Sequence, residues 1–352
     1  MIPKEVKVDL VIQAYNKFQG MKLIIPMAGQ GKRMRPHTLT VPKPLIKLAG
    51  KPIVERLIEE ITKASLDDID EMVFIINNFG VEVEDYLLNI AQKFNAKGHI
   101  RYQEKPLGTA DAINSAREFL EGPVIIAFAD TLFFTTEQMN LDLDAIIWVK
   151  EVENPSAFGV VKINEENKII SFHEKPKQLI SNLAIVGIYY FKNATHLKKE
   201  IDYLLENKIM GNGEYQLTDA LTNMLNKGFS FYALPIDEWL DCGNKEATIY
   251  SNKRILERHG KNDISKTAGI ENSIIIPPCY IGNYVTIRNS IVGPFVSIED
   301  HTYVQDSIIT NSIIQRHSSI INANIDNSMI GNYVEYHDKH KELNVGDYTI
   351  IN

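Results

Sequence analysis

Residues 21–52 read MKLIIPMAGQGKRMRPHTLTVPKPLIKLAGKP. The run Leu23-Ile24-Ile25-Pro26-Met27 is short, apolar and bounded by turn residues, the pattern of a buried strand. It empties into Ala28-Gly29-Gln30-Gly31-Lys32-Arg33-Met34-Arg35-Pro36. Between Lys22 and Val54 stand seven Lys or Arg and no acid, in a chain of net charge −8. Glycine lets backbone N–H groups close on an anion, and cations beside it neutralise that anion. Ala28, Gly29, Gly31 and Arg33 therefore form a candidate polyphosphate seat. Two common phosphate loops do not fit it. A dinucleotide fingerprint wants glycine where Met34 stands, and a P-loop wants Ser or Thr where Arg33 follows Lys32.

Outward from this loop the pattern alternates strand and helix. Apolar residues at helical spacing mark 53–65 and 81–94, and a further helix is expected over 109–120. Strands are expected at 72–76, up to 103, and over 124–129, the last ending at Asp130. Such alternation predicts a mostly parallel, Rossmann-like α/β sheet whose ligands sit beyond the strand carboxyl ends, where the Gly loop and Asp130 both lie. After Asp144 strands dominate (145–149, 158–163, 169–173, 184–191), with helices at 194–206, 217–227 and 245–258.

From about Gly269 the composition shifts to Ile, Val, Asn and Ser in short runs. Ile274, Ile291, Ile308 and Ile325 recur every seventeen residues, as do Ile287, Val304 and Ile321. Ile281-Gly282-Asn283-Tyr284-Val285 returns as Ile330-Gly331-Asn332-Tyr333-Val334. A period near three hexads predicts a parallel β-helix of three-sided coils, with Asn and Gly at the corners and the Ile columns inside. The expected division is 1–20 an extension of no assigned role, 21–244 a catalytic domain, 245–268 a linker helix, and 269–352 the β-helix.

At 352 residues, 44% hydrophobic and 23% charged, the chain has the make-up of a globular protein of about two domains. Its acidic balance argues against nucleic-acid binding. No run is long enough to span a membrane as a helix, and the first twenty residues lack a secretory pattern. Cys242 and Cys279 are too few for a disulfide framework. A cytoplasmic location is expected.

Gly-x-Gly-x-Arg-x-x-Pro, followed by Pro42-Lys43-Pro44 and Gly50-Lys51-Pro52, resembles the signature loop of sugar-1-phosphate nucleotidyltransferases. The likeness extends to the repeats, since many members carry a left-handed β-helix. The segment 342–348 is similar to the tail of long glucose-1-phosphate thymidylyltransferases. The resemblance implies a Mg²⁺-dependent reaction between an NTP and a sugar 1-phosphate. Two anions must be brought into line, so positioning and charge neutralisation are the expected devices. It places Arg33 on the β,γ-phosphates and Lys43 near the α-phosphate. It makes Asp130 and Asp241 (within Trp239-Leu240-Asp241-Cys242-Gly243) the metal ligands, the alternative being that each acid caps a following helix.

Gln103-Glu104-Lys105-Pro106-Leu107-Gly108-Thr109-Ala110 looks like the family's base-reading loop. Gln103, Gly108 and Thr109 are thus nucleotide-binding candidates. An amide suits the imide of thymine or uracil, favouring dTTP or UTP, whereas guanylyl-transferring relatives tend to carry Glu at the Gln103 position. Gly159, Glu174, Lys175 and Gly187 fall in motifs that resemble the sugar-phosphate side, Lys175 being catalytic by its charge. Glucose 1-phosphate is the favoured acceptor. Two alternatives stand beside this one. The repeats could carry an acyltransferase using His301 or His317, or the partners could be another pair such as mannose 1-phosphate and GTP. Flat coil faces suit a homo-oligomer, and the chemistry is expected not to need the stack directly.

Overall fold

The apolar run of the opening stretch is strand β1 (Met21–Pro26), and the elements that follow build the sheet around it. The computed structural model describes residues 20–65, 67–211 and 213–339. The N-terminal extension before Gly20 and the tail motif 342–348 lie outside the described residues. In chain order come α1 (Ile53–Ala64), β2 (Ile69–Ile76), α2 (Val81–Lys93), β3 (Lys97–Tyr102), α3 (Thr109–Asn114), β4 (Val124–Ala127) and β5 (Thr131–Phe134). Then follow β6 (Ala145–Glu151), β7 (Gly159–Ile163), β8 (Ile169–Glu174), β9 (Leu183–Phe191), α4 (Thr195–Glu206), α5 (Leu217–Asn226), β10 (Tyr232–Pro235) and β11 (Glu238–Asp241).

The sheet order is β8-β7-β9-β4-β1-β2-β3, with β6 between β9 and β10. Strands β4, β1, β2 and β3 are mutually parallel, the Rossmann-like half that the alternation predicts. Strand β9 joins antiparallel to β4 and β6, which is how the strand-rich second half attaches. Ile24, Val73, Ile126, Ile147 and Phe191 meet in one core under α3, α4 and α5. A separate two-stranded ribbon pairs β5 with β11.

Two compact units divide the chain. One holds the residues up to Leu45 together with Ile53–Asp241; the other holds Ile46–Pro52 and the residues from Cys242 onward. The second unit starts with helix α6 (Lys245–His259), whose N-cap is Asn244, accepting from Ala247 N–H at 2.9 Å. Its remaining strands stack in three parallel sheets, giving the left-handed parallel β-helix. The hairpin Lys47–Leu48/Lys51–Pro52, distant in sequence, is held within this unit. Ala49 N–H donates to Asn252 Oδ1 (3.1 Å), Gly50 N–H to Glu299 Oε1 (3.1 Å), and Gln315 Nε2 to the Lys47 carbonyl (3.1 Å). Gly50 has φ +84°, and a Cβ there would sit 2.5 Å from the Tyr280 ring.

The Ile columns differ from the sequence expectation in one respect. Ile274, Ile291 and Ile308 do pair in register, but they face outward, Ile274 being 60% and Ile308 46% exposed. The interior columns are their neighbours Val292, Ile309 and Ile325, and Ile287, Val304 and Ile320. The coil shortens from seventeen residues to sixteen, so Ile308 pairs Asn324 and Ile325 joins the inner column beside Ile309. Periodicity counts residues per coil but does not say which of two adjacent apolar residues points inward. The corners also differ. Asn272, Asn289, Asn311 and Asn322 take left-handed dihedrals as expected, but so do Asp306, Tyr284, His301, His317 and Tyr333. Those four rings stack in a ladder at 5.0, 4.9 and 4.9 Å, which offsets an awkward backbone with ring contact.

Candidate active site

The glycine loop leaves β1 at Pro26, anchored by Met27 N–H donating to the Ile75 carbonyl at 2.8 Å. Gly31 has φ +57°, and a Cβ there would come within 3.0 Å of Thr38 and 3.3 Å of Lys43, so glycine is needed. Thr38 Oγ1 closes the loop on the Gly31 carbonyl (2.8 Å), and Met34 is buried beneath. Arg33, on the following 3₁₀ turn, stays exposed.

Arg33 lines a cleft of about 360 Å³ together with Thr109, Asp130, Gly159, Glu174, Lys175, Gly187 and Asp241. These predicted residues, scattered along the sequence, are thus brought together. Lys43 reaches the same place through a 3.0 Å ion pair with Asp130, with the lysine side chain 11% exposed. Ala28, Gly29, Gly31, Gln103 and Gly108 do not line the cleft itself. Gln103 and Gly108 adjoin it at Thr109.

The capping alternative for the two acids is not what the structure shows. Asp130 sits in the turn after β4, three residues past the strand, and is followed by strand β5 rather than a helix. Asp241 ends β11, and the next helix is capped by Asn244. Asp241 pairs in register with Thr131, the residue after Asp130, which puts both acids at one end of the ribbon. No group of three or more His, Cys, Asp or Glu among the described residues could hold a metal. Two carboxylates plus ligand phosphates and water are what Mg²⁺ uses, so the donor set fits that ion, and the Lys43 ammonium on Asp130 shows that the carboxylate attracts a cation.

At the far end of the cleft, Gly159 begins β7, and a Cβ there would lie 3.1 Å from Glu174 Oε2. Thr218 Oγ1 donates to that same oxygen (3.0 Å), fixing the carboxylate, and Lys175 Nζ stands 3.6 Å from Oε1. Lys175 has φ +41°, a strained value for a residue with a Cβ, held by its N–H donating to the Phe158 carbonyl at 3.1 Å. Gly187, φ +95°, lies where β9 shifts register against β6, and its carbonyl accepts from Phe128 N–H at 3.0 Å. Burial first, and Glu174 second, push the Tyr189 phenol well above its ordinary range. The same causes raise the Asp219 carboxyl.

Gly108 precedes α3 with φ +128°, and a Cβ there would lie 2.4 Å from the Tyr215 carbonyl oxygen. Thr109 Oγ1 accepts from Leu217 N–H (2.9 Å), so the loop is braced against 214–219. That segment, whose sequence matches the family at the pocket rim, lines the cleft with Glu214, Gln216, Leu217 and Thr218. Phe158, beside Gly159 in the sugar-phosphate motif, lines it too, as do Thr131 and Trp239, which sequence reasoning does not single out as site residues. Phe158 and Trp239 rings pack at 4.8 Å, and the buried Trp239 Nε1 has no acceptor among the described residues. An unsatisfied N–H in a ligand cleft is a signal only the structure supplies.

The Nucleotidyl transferase family model matches residues 22–258. The bifunctional protein GlmU of Methanococcus maripaludis is 32% identical over 278 residues, covering 78% of this chain. The chain spans 62% of that relative's length. A glucose-1-phosphate thymidylyltransferase of Streptomyces griseus is 28% identical over 341 residues, 90% of this chain and 93% of the relative. Among solved structures, a UDP-glucose pyrophosphorylase complexed with UDP-glucose superposes with TM-score 0.57 at 24% identity, covering 68% of this chain and 99% of that one.

Proposed function

The chain belongs to the nucleotidyl transferase family, and from that premise we propose that it transfers a nucleotidyl group from dTTP or UTP to a sugar 1-phosphate, glucose 1-phosphate foremost. The observation that carries this reading is the single cleft that gathers Arg33, Asp130 and Asp241 with Glu174 and Lys175. A phosphate oxygen of the sugar phosphate attacks the α-phosphorus, the bond to the β-phosphate bridging oxygen breaks, and pyrophosphate leaves. The nucleophile is already an anion, so no general base is required. Arg33 neutralises the leaving pyrophosphate, and Lys43 approaches the α-phosphate once a nucleotide competes for its pairing with Asp130. Lys175 takes the sugar's phosphate, while Glu174, oriented by Thr218, accepts from sugar hydroxyls. Ala28, Gly29 and Gly31 supply the backbone cradle. Asp130 and Asp241 would hold Mg²⁺, which supplies charge neutralisation to the triphosphate when bound.

Gln103, beside Gly108, reads the base. The thymidylyltransferase relative, aligned over most of both chains, supports dTTP and glucose 1-phosphate. No described helix is long and apolar enough to cross a membrane, and the proposed setting is the cytoplasm. The outward row of Ile274, Ile291 and Ile308 supports a homo-oligomer built through the β-helix. Acyl transfer is not favoured by the coils: the His301 and His317 rings are sandwiched between Tyr284 and Tyr333, and among the described residues no carboxylate hydrogen-bonds either ring to orient it as a base. Assaying pyrophosphate release for each NTP with a panel of sugar 1-phosphates, with and without EDTA, tests the proposal. Metal-dependent release with dTTP or UTP and glucose 1-phosphate is expected, and release with neither refutes it.

A further inference from the structure

Gln103 is only 9% exposed, and its side-chain amide is committed in one direction. Its Nε2 lies 2.8 Å from Asp111 Oδ2 and 3.3 Å from the Gly108 carbonyl oxygen. An ionised carboxylate and a carbonyl can only accept, so the amide nitrogen must face them, and the flipped orientation would set oxygen against oxygen. Oε1 is thereby left as an acceptor, and it has no partner among the described residues. Asp111 lies on α3, one turn from Gly108, and makes the shorter of the two contacts.

We propose that Asp111 is a positioning residue for base selection: it fixes the Gln103 amide so that a carbonyl oxygen, and not an NH₂ group, meets the incoming base. The inference rests on the base-reading role proposed above for Gln103. It also sharpens that role. Thymine and uracil carry N3–H, a donor, which the fixed oxygen accepts. Cytosine carries a bare N3, an acceptor, which the fixed oxygen repels. With Asp111 unable to accept, the amide can turn and offer its NH₂ to cytosine. The site is then selective for imide pyrimidines through a residue that does not touch the nucleotide.

The test is kcat/KM for UTP, dTTP, CTP, ATP and GTP with glucose 1-phosphate, on the full chain and its Asp111→Leu and Asp111→Asn variants. Wild type should favour UTP or dTTP over CTP by about 100-fold or more. Asp111→Leu should shrink that ratio at least about tenfold, with the CTP value itself rising, because only the longer Gly108 contact still orients the amide. Asp111→Asn, which can still accept through its own carbonyl, should keep the ratio within about threefold. A ratio unchanged in Asp111→Leu, even with all nucleotides uniformly slower, overturns the positioning role and leaves the base reading intact. A wild type that prefers ATP, GTP or CTP overturns the base reading itself. The ratio is internal to each variant, so partial loss of folded protein does not move it.

Discussion

Replacing Glu299 should loosen the hairpin at 46–52 by an amount that depends on the replacement's shape more than its charge. The Glu299 side chain is fully buried in a β-helix coil. It pairs with Lys47 at 3.3 Å and accepts from Gly50 N–H at 3.1 Å. Glu299→Ala strands that N–H, which costs about 1–3 kcal/mol. It also leaves a void and removes the partner of Lys47, whose side chain is 28% exposed and can turn to water. The lower end of the range for a broken buried pair, about 3 kcal/mol, therefore applies to the whole change. Glu299→Gln keeps the acceptor and fills the space, so it should cost about 1 kcal/mol or less.

The pH dependence separates the two further. Burial, the leading cause, raises the Glu299 carboxyl pKa despite Lys47. A raised carboxyl pKa contributes stability that is fully present below the unfolded-state value, about 4.3, and is lost as pH rises through the folded value. Glutamine does not titrate, so its deficit against wild type should narrow over that window. Native-state hydrogen exchange of the peptide covering 46–52 reads the local opening, a better measure than a melt when a chain has two units. Glu299→Ala should exchange about 150-fold faster there, the rate equivalent of about 3 kcal/mol. Unchanged exchange in Glu299→Ala, or equal effects of Ala and Gln, would refute the reasoning.

Other outcomes follow from the same geometry. Asp130→Asn and Asp241→Asn should each lower metal-dependent pyrophosphate release by about 100-fold or more while leaving the circular dichroism spectrum intact; near-native rates would remove that residue from the metal site. Thr218→Val should raise KM for the sugar phosphate about five- to tenfold with kcat little changed, since it frees the Glu174 carboxylate without touching the triphosphate; an unchanged KM contradicts this. Truncation after Arg258 removes Glu299 and Gln315, both partners of the hairpin a few residues past Lys43, and so should abolish turnover rather than spare it. Retention of activity by the truncated chain would show that the hairpin holds Lys43 unaided.

The parallel half of the sheet was legible because β1, β2 and β4 each contain a continuous apolar run (23–26, 72–76 and 124–127), with helical periods between them. The glycine loop was legible because Gly31 needs a left-handed φ beside a cluster of cations. The helix expected over 109–120 instead ends at Asn114, with a 3₁₀ turn at Arg117–Phe119, and no Gly or Pro marks that break. The individual roles of Thr131 and Trp239 were not legible because a lone Thr or aromatic carries no local signal, and the resemblance that marks 214–219 as rim does not say that Thr218 bonds Glu174. The hairpin 46–52 reads from sequence as part of the glycine-loop domain, because sequence proximity is the only guide available. Its partners Asn252, Glu299 and Gln315 lie some 200 residues or more away.

The measurement that reaches the central claim most directly is ³¹P NMR of full-length protein with Mg²⁺, glucose 1-phosphate and dTTP or UTP. A nucleoside diphosphate sugar and pyrophosphate should grow in equal amounts as the sugar 1-phosphate signal falls, and both should vanish when Arg33 is replaced by Ala. Hydrolysis of the triphosphate without a sugar-linked diphosphate, or no change in any phosphorus signal, would contradict the account.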